Sequence, residues 1–226
     1  MGLYLIFIVP ALLLTLYAQL KVKTTFKRYS KVPSSRGITG AEAAATLLRR
    51  NGLSSVVKVQ QVGGNLSDHY NPVNHTLNLS QTVYGQNSLA AIGVAAHECG
   101  HAIQHQQAYG PLALRHRLVP ITNFASGLSF PIILLGFIFY SADLVLVGVI
   151  AFSLVVLFHL VTLPVEFNAS RRAVAQLSEA GLLTAQESPG VEKVLRAAAL
   201  TYVAAAFSAI ANLLYYLLIF AGMRDD

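Results

Sequence analysis

Apolar residues gather in four long runs, with the polar residues between them. Residues 1–20 have no charged side chain, 118–142 are uncharged, 144–165 hold His159 as their one ionisable group, and 197–223 are uncharged. Each run is at least as long as the roughly 18 residues that mark a membrane-crossing helix. One such run can be a buried core helix. Four in a chain of 226 residues predict a polytopic membrane protein, mainly α with a small β element. The runs divide the chain into transmembrane helix 1 (1–20), a polar segment (21–117), a hairpin of helices 2 and 3 (118–165), a second polar segment (166–196) and transmembrane helix 4 (197–223). The hairpin is expected to turn at Ser141-Ala142-Asp143. Lys21, Lys23, Lys27 and Arg28 follow the first run and no positive region precedes it, so a retained anchor is expected there instead of a cleaved signal peptide.

Shorter patterns fill the polar segments. Thr39-Gly40-Ala41-Glu42 is a capping box that opens a helix, and Asn51-Gly52 closes it with a left-handed cap. Valine-rich Ser54–Val62 and alternating His75–Ser80 predict two strands, with a turn at Gly63-Gly64-Asn65 and an irregular link over Asp68–Pro72. These strands form either a small hairpin over the next helix or an edge on which an extended peptide can pair. That helix is predicted over Ser88–Gln107, capped by Asn87 or Ser88 and stopped at Tyr109-Gly110-Pro111. Beyond the third run an amphipathic helix reaches Ala180 and stops at Gly181. Thr184–Glu187 resembles a second capping box, and Ser188-Pro189 restarts a helix that enters the last run.

Charge sets the expected orientation. Of 16 Lys and Arg, 11 lie in 21–117 and 4 in 166–196, two segments that four spans leave on one side of the membrane. The positive-inside rule makes that side the cytosol. A net charge of +6 suits anionic lipid headgroups, whereas nucleic acid is disfavoured because the cations form no patch interleaved with aromatics. The single cysteine, Cys99, excludes an internal disulfide and is read as a packing residue.

The chemistry centres on His97-Glu98-Cys99-Gly100-His101. Residues i and i+4 share one helix face, so two imidazoles can grip one Zn²⁺, and Glu98 is placed to take a proton from water. The helix before the motif is small and apolar, and burying two histidines and a glutamate there is costly without a compensating partner. A catalytic zinc needs a third protein ligand. Position 107, where a metzincin has histidine, is Gln107, and His105 lies a further turn along the helix. Glu166 is the better candidate, standing where the third run returns to the polar side; the alternative is an interfacial glutamate paired with Arg171 or Arg172. Ser170 is expected to reach a zinc histidine, His105 to be an outer or surface residue, and His159 is a functional candidate as an intramembrane histidine.

The run GVAAHECGHAIQ (93–104), with DHYNP and NLS before it and LPVEFNASRRA and VLRAAALTYVAA after it, resembles the membrane zinc metallopeptidases of the bacterial YugP-like family. The resemblance covers nearly the whole chain. It is also similar to gluzincins, which pair HExxH with a later glutamate. It implies one Zn²⁺ held by His97, His101 and Glu166, Glu98 as base, and a cytosolic gluzincin-like core on a bacterial plasma (inner) membrane protein. The chain departs from those gluzincins at Ser170, where they carry aspartate.

The expected activity is hydrolysis of peptide bonds in peptide or protein substrates by metal-activated water. His69, His75, His105, His159, Tyr70, Tyr202, Arg171 and Arg172 are all candidates to steady the oxyanion. Two rival readings stand beside it. One is an intramembrane-cleaving protease whose HExxH helix itself spans, with Asp143 as third ligand. The other is a zinc-stabilised scaffold without catalysis, for which the intact Glu98 has no use. Oligomeric state is not encoded in any feature of the sequence.

Overall fold

The computed structural model describes residues 2–225. Its elements in chain order are α1 (Gly2–Tyr29), α2 (Gly40–Arg50), β1 (Lys58–Val62), β2 (His69–Asn71), β3 (Thr76–Ser80), α3 (Gln81–Tyr84), α4 (Leu89–Gln106), α5 (Gly110–Ile138), α6 (Ala142–Glu179) and α7 (Ser188–Asp225). The chain is mainly helical with one three-stranded sheet, and α1, α5, α6 and α7 are long and apolar enough to cross a membrane. The described part of each apolar run is helical except for the end of 118–142, where α5 stops at Ile138 and α6 begins at Ala142, and all four helices also carry polar sequence beyond the run.

Two compact units make up the chain. The first comprises Met1–Gln19, Gly110–Pro164 and Thr201–Asp226. Large apolar side chains such as Leu12, Leu13, Phe124, Phe130 and Ile150 face outward here, as they would toward lipid. Glycines let α5 and α6 approach: a Cβ on Gly136 would stand 2.6 Å from Val145, and one on Gly148 would meet Ile133. Their connection lies slightly ahead of the expected turn. Tyr140 takes φ 50°, Ser141 N–H donates to the Gly136 carbonyl at 2.8 Å, and α6 already begins at Ala142.

The second unit, Leu20–Tyr109 with Val165–Leu200, has the larger buried core. Leu47 and Leu48 of α2, Leu77 and Leu79 of β3, Val83 of α3, Ile92 and Cys99 of α4, Leu177 of α6 and Val191 and Leu195 of α7 are buried together. The capping box forms as the sequence requires: Glu42 N–H donates to Thr39 Oγ1 at 3.2 Å, and Thr39 N–H donates to the Glu42 carboxylate at 2.7 Å. Gly52 at φ 68° ends the turn that closes α2.

The sheet differs from a simple hairpin. Its order is β1-β3-β2, with β1 parallel to β3 and β2 antiparallel to it. Residues 54–57 are turn, because Val56 and Val57 N–H bond back to the Leu53 carbonyl, so the first strand starts only at Lys58. The link expected to be irregular holds β2, whose Tyr70 pairs with Leu77. Three residues are too few for an alternating pattern to register, and a parallel partner 18 residues away leaves no local trace. The helix carrying the histidines starts where expected, with Ser88 Oγ accepting from Ala91 N–H at 3.2 Å. It stops earlier than expected. Ala108 adopts φ 48° and Tyr109 N–H donates to the Gln104 carbonyl at 2.9 Å. Gly110 and Pro111 open α5, the position in a helix where proline costs no hydrogen bond.

Candidate metal centre

α4 presents His97 and His101 on one face, and α6 brings Glu166 against them. His97 Nε2 lies 3.3 Å and His101 Nε2 3.7 Å from Glu166 Oε2, and one donor atom from each residue falls within 4.8 Å of the other two. Two atoms bound to one tetrahedral zinc at about 2.0–2.1 Å stand roughly 3.4 Å apart, so this spacing fits a shared cation. Glu166 is 1% exposed and His101 9%. Burial would lower the His101 pKa, but the Glu166 hydrogen bond and the negative charges of Glu98 and Glu166 outweigh it and raise the imidazole's hold on a proton. A pocket that strengthens proton binding in this way has an environment suited to positive charge.

The close approach of α4 and α6 depends on the motif's glycine. A Cβ on Gly100 would lie 2.7 Å from the Ala169 carbonyl oxygen and 3.1 Å from Ala169 Cα. Ala169, itself fully buried, completes this backbone-to-backbone contact.

The outer nitrogens of both imidazoles are engaged. His97 Nδ1 is 3.2 Å from Ser170 Oγ, and His101 Nδ1 is 3.0 Å from Gln104 Oε1. Gln104 is wholly buried, and its amide nitrogen donates to the Val165 carbonyl and to Asn168 Oδ1, both at 2.9 Å. Asn168 Oδ1 also accepts from Arg172 Nε at 2.7 Å, while Arg172 Nη1 donates to Gln107 Oε1 at 2.7 Å. This chain fixes which end of the Gln104 amide faces His101. The Nδ1 of His101 therefore carries a proton, and Nε2 is the ring nitrogen left toward Glu166.

Glu98 Oε2 accepts the Tyr70 N–H of edge strand β2 at 2.9 Å, and Glu98 is 8% exposed. Nearby Asp68 receives the N–H and hydroxyl of Ser80 at 2.7 and 3.0 Å. Burial, aided by the Glu98 charge, raises the Asp68 pKa despite the Ser80 hydrogen bonds, which oppose the shift. His105 is not with the other two histidines. Its Nδ1 lies 2.9 Å from the Tyr70 hydroxyl, and its ring stacks on His75 at 5.6 Å and 16°. His69 is exposed and turns to the Ser67 carbonyl and Asn78. His159 and Tyr202 belong to the other unit, where the His159 ring meets Phe158. Cys99 is buried on the far face, its thiol directed at the Ala44 carbonyl at 3.7 Å, with a pKa pushed up by burial and by Glu98.

Gln104, Asn168 and the Tyr70 amide are additions that the sequence did not reveal. Gln104 could have been found by asking what stands one turn beyond His101 to hold its Nδ1. Asn168 and Tyr70 depend on packing between distant segments.

Four helices apolar enough to cross a membrane, and a pair of imidazoles facing a buried carboxylate that could hold a metal ion, define the class: a candidate membrane metalloprotein. Residues 4–221 match the family described as "Putative neutral zinc metallopeptidase", and the chain belongs to that family. It is 48% identical to the "Putative membrane protease YugP" of Bacillus subtilis (strain 168), over 224 residues and 99% of each chain. No solved structure matches it.

Proposed function

We propose that the chain is a membrane-anchored zinc-dependent endopeptidase, with one zinc ion held by His97, His101 and Glu166 and with Glu98 as general base. The observation that carries this reading is the convergence of two histidine Nε2 atoms and a buried carboxylate oxygen within 4.8 Å. Zinc in that donor set supplies a Lewis acid that acidifies water and polarises a scissile carbonyl.

The chain's own groups do the rest. Glu98 takes the proton of the attacking water and returns it to the departing amine, so the amide C–N bond breaks as a C–O bond forms and no other reactant is consumed. The Tyr70 N–H holds Glu98 Oε2, leaving the carboxylate's other oxygen for this proton. Gln104 and Ser170 aim the imidazoles. Arg172 is committed to Asn168 and Gln107, which removes it from the oxyanion candidates. Among the remaining candidates, Tyr70 is joined to Glu98 through its amide and to His105 through its hydroxyl. Strand β2, one edge of the sheet, is the side on which an extended substrate would pair.

We assign the polar segments to the cytosolic face of a bacterial inner membrane, a reading supported by their excess of Lys and Arg. The intramembrane-cleaving reading requires α4 to span. However, α4 is not among the four helices apolar enough to do so, and its residues lie within the core of the second unit.

The test uses the full chain in detergent, with zinc content by elemental analysis and cleavage of an unfolded protein substrate. Wild type and Glu98→Gln should each carry one zinc, with cleavage confined to wild type. Glu166→Ala should lose both zinc and cleavage. Wild-type zinc occupancy in Glu166→Ala, or full activity in Glu98→Gln, would overturn the assignment.

A further inference from the structure

A cavity of about 340 Å³ lies between α1 and α7 and is lined by Lys21, Thr25, Arg28, Tyr29, Lys193, Arg196, Ala197 and Leu200. Helical spacing explains the lining. Lys21, Thr25 and Arg28 recur at i, i+4 and i+7, and Lys193, Arg196, Ala197 and Leu200 at i, i+3, i+4 and i+7, so each helix offers one face. Four cations meet there with no carboxylate in the lining, and Tyr29, Ala197 and Leu200 supply apolar surface. Glu192 pairs with Arg196 at 3.1 Å, and both of them also line another cavity with Ser170 and Arg171.

The level of this cavity along the helices identifies its ligand. Lys21 is the first residue after the uncharged run of α1, and Arg196 the last before that of α7. Both helices continue unbroken into those runs. The cations therefore sit where phospholipid phosphates lie, with apolar helix surface directly beyond for acyl chains. We propose that the cavity is a binding site for the phosphate of an anionic phospholipid, held by Lys21, Arg28, Lys193 and Arg196. Diffuse attraction between a basic segment and an acidic membrane needs no cavity and weights every cation alike. A built site weights these four above their neighbours. Lys23 and Lys27 lie on the same helix, carry the same charge and are absent from the lining.

That contrast supplies the experiment. The full chain, purified in neutral detergent, is titrated with phosphatidylglycerol or phosphatidylcholine and bound lipid is read by native mass spectrometry. Phosphatidylglycerol should bind in preference, with one molecule held more tightly than the rest. Lys21→Gln/Lys193→Gln should weaken that molecule on the order of 30-fold, about fivefold for each cation lost. The charge-matched Lys23→Gln/Lys27→Gln should leave it in place. Arg28→Gln/Arg196→Gln, run in parallel, serves if the first pair does not purify as a monodisperse species. Equal loss in the two lysine pairs would reduce the effect to diffuse attraction and overturn the site. Equal binding of phosphatidylcholine would overturn it too. So would displacement of the lipid by millimolar inorganic phosphate, which would make the cavity a site for soluble anions. The inference rests on α1 and α7 crossing the bilayer and not on the metal centre, so the lipid and peptidase assays fail independently.

Discussion

At the scale of single residues, the site is a set of imidazoles and carboxylates whose protons are directed by neighbours. The two histidines and Glu98 could be read from five letters of sequence, because a helix places i and i+4 together whatever else the chain does. Glu166 needed a further argument, from an acid beside an apolar run. Gln104 and Asn168 were not legible, since a glutamine or asparagine has no pattern of its own and acquires its role from what packs against it. Gln104→Ala should leave the fold intact yet lower zinc affinity by roughly 10–100-fold, as loss of a partner to a ligand histidine does. Competition with a metallochromic chelator measures this, and unchanged affinity would remove Gln104 from the site. Glu98→Gln should cut kcat by on the order of 10²–10⁴ while zinc content holds, separating the proposed base from the proposed metal ligands.

At the scale of elements, what matters is how closely two helices approach and how their ends are tied. Gly100→Ala inserts a methyl 2.7 Å from the Ala169 carbonyl, where backbone cannot yield as a side chain can. It should cost about 1–3 kcal/mol of stability and reduce zinc occupancy by moving Glu166 away from the imidazoles. Thermal unfolding and metal analysis of the same sample report both, and an unaltered midpoint would show that the helices can separate freely. Glu187 ties another end. Its carboxylate accepts Ser35 N–H and hydroxyl at 2.7 and 3.0 Å and Thr184 N–H and hydroxyl at 2.9 and 2.7 Å. Burial would raise its pKa, but these four hydrogen bonds outweigh it and hold it at about 2, against an ordinary 4.5. A depressed carboxylate stabilises the fold above pH 4.5 and loses that effect as pH falls toward 2. The stability gap between wild type and Glu187→Gln should therefore be open at pH 7 and narrow as pH falls from 4.5 toward 2; a gap of constant size would contradict it. The Thr39–Glu42 capping box was visible in sequence because it is local; at Thr184–Glu187 only the carboxylate half forms, since the Glu187 N–H bonds to the Thr184 carbonyl. The long reach from Glu187 to Ser35 was not visible, and neither was the parallel pairing of β1 with β3.

At the scale of the whole molecule, the four apolar runs supply four candidate spans, and the proposed orientation rests on the lysines and arginines. The native cysteine helps to test that orientation. Cys99 is wholly buried with a raised thiol pKa, so it should remain silent to maleimides and give a clean background. Val73 is 83% and Tyr140 90% exposed. Val73→Cys should be labelled by a membrane-impermeant maleimide only in inside-out vesicles, and Tyr140→Cys only in right-side-out ones. Labelling of both from one side would refute the four-span topology. The runs were legible because membrane thickness imposes a length on apolar sequence. Their helices' extensions into polar sequence were less so, because α6 passes Pro164 without ending.

The two unspecified letters of HExxH, Cys99 and Gly100, look interchangeable in the motif, yet their surroundings are unlike. Cys99 occupies an apolar niche that other small side chains would also fill, whereas Gly100 has a neighbouring main chain where a first carbon would go. A saturation library at these adjacent codons, screened for metal retention, should return a mixed palette at the first and one survivor at the second.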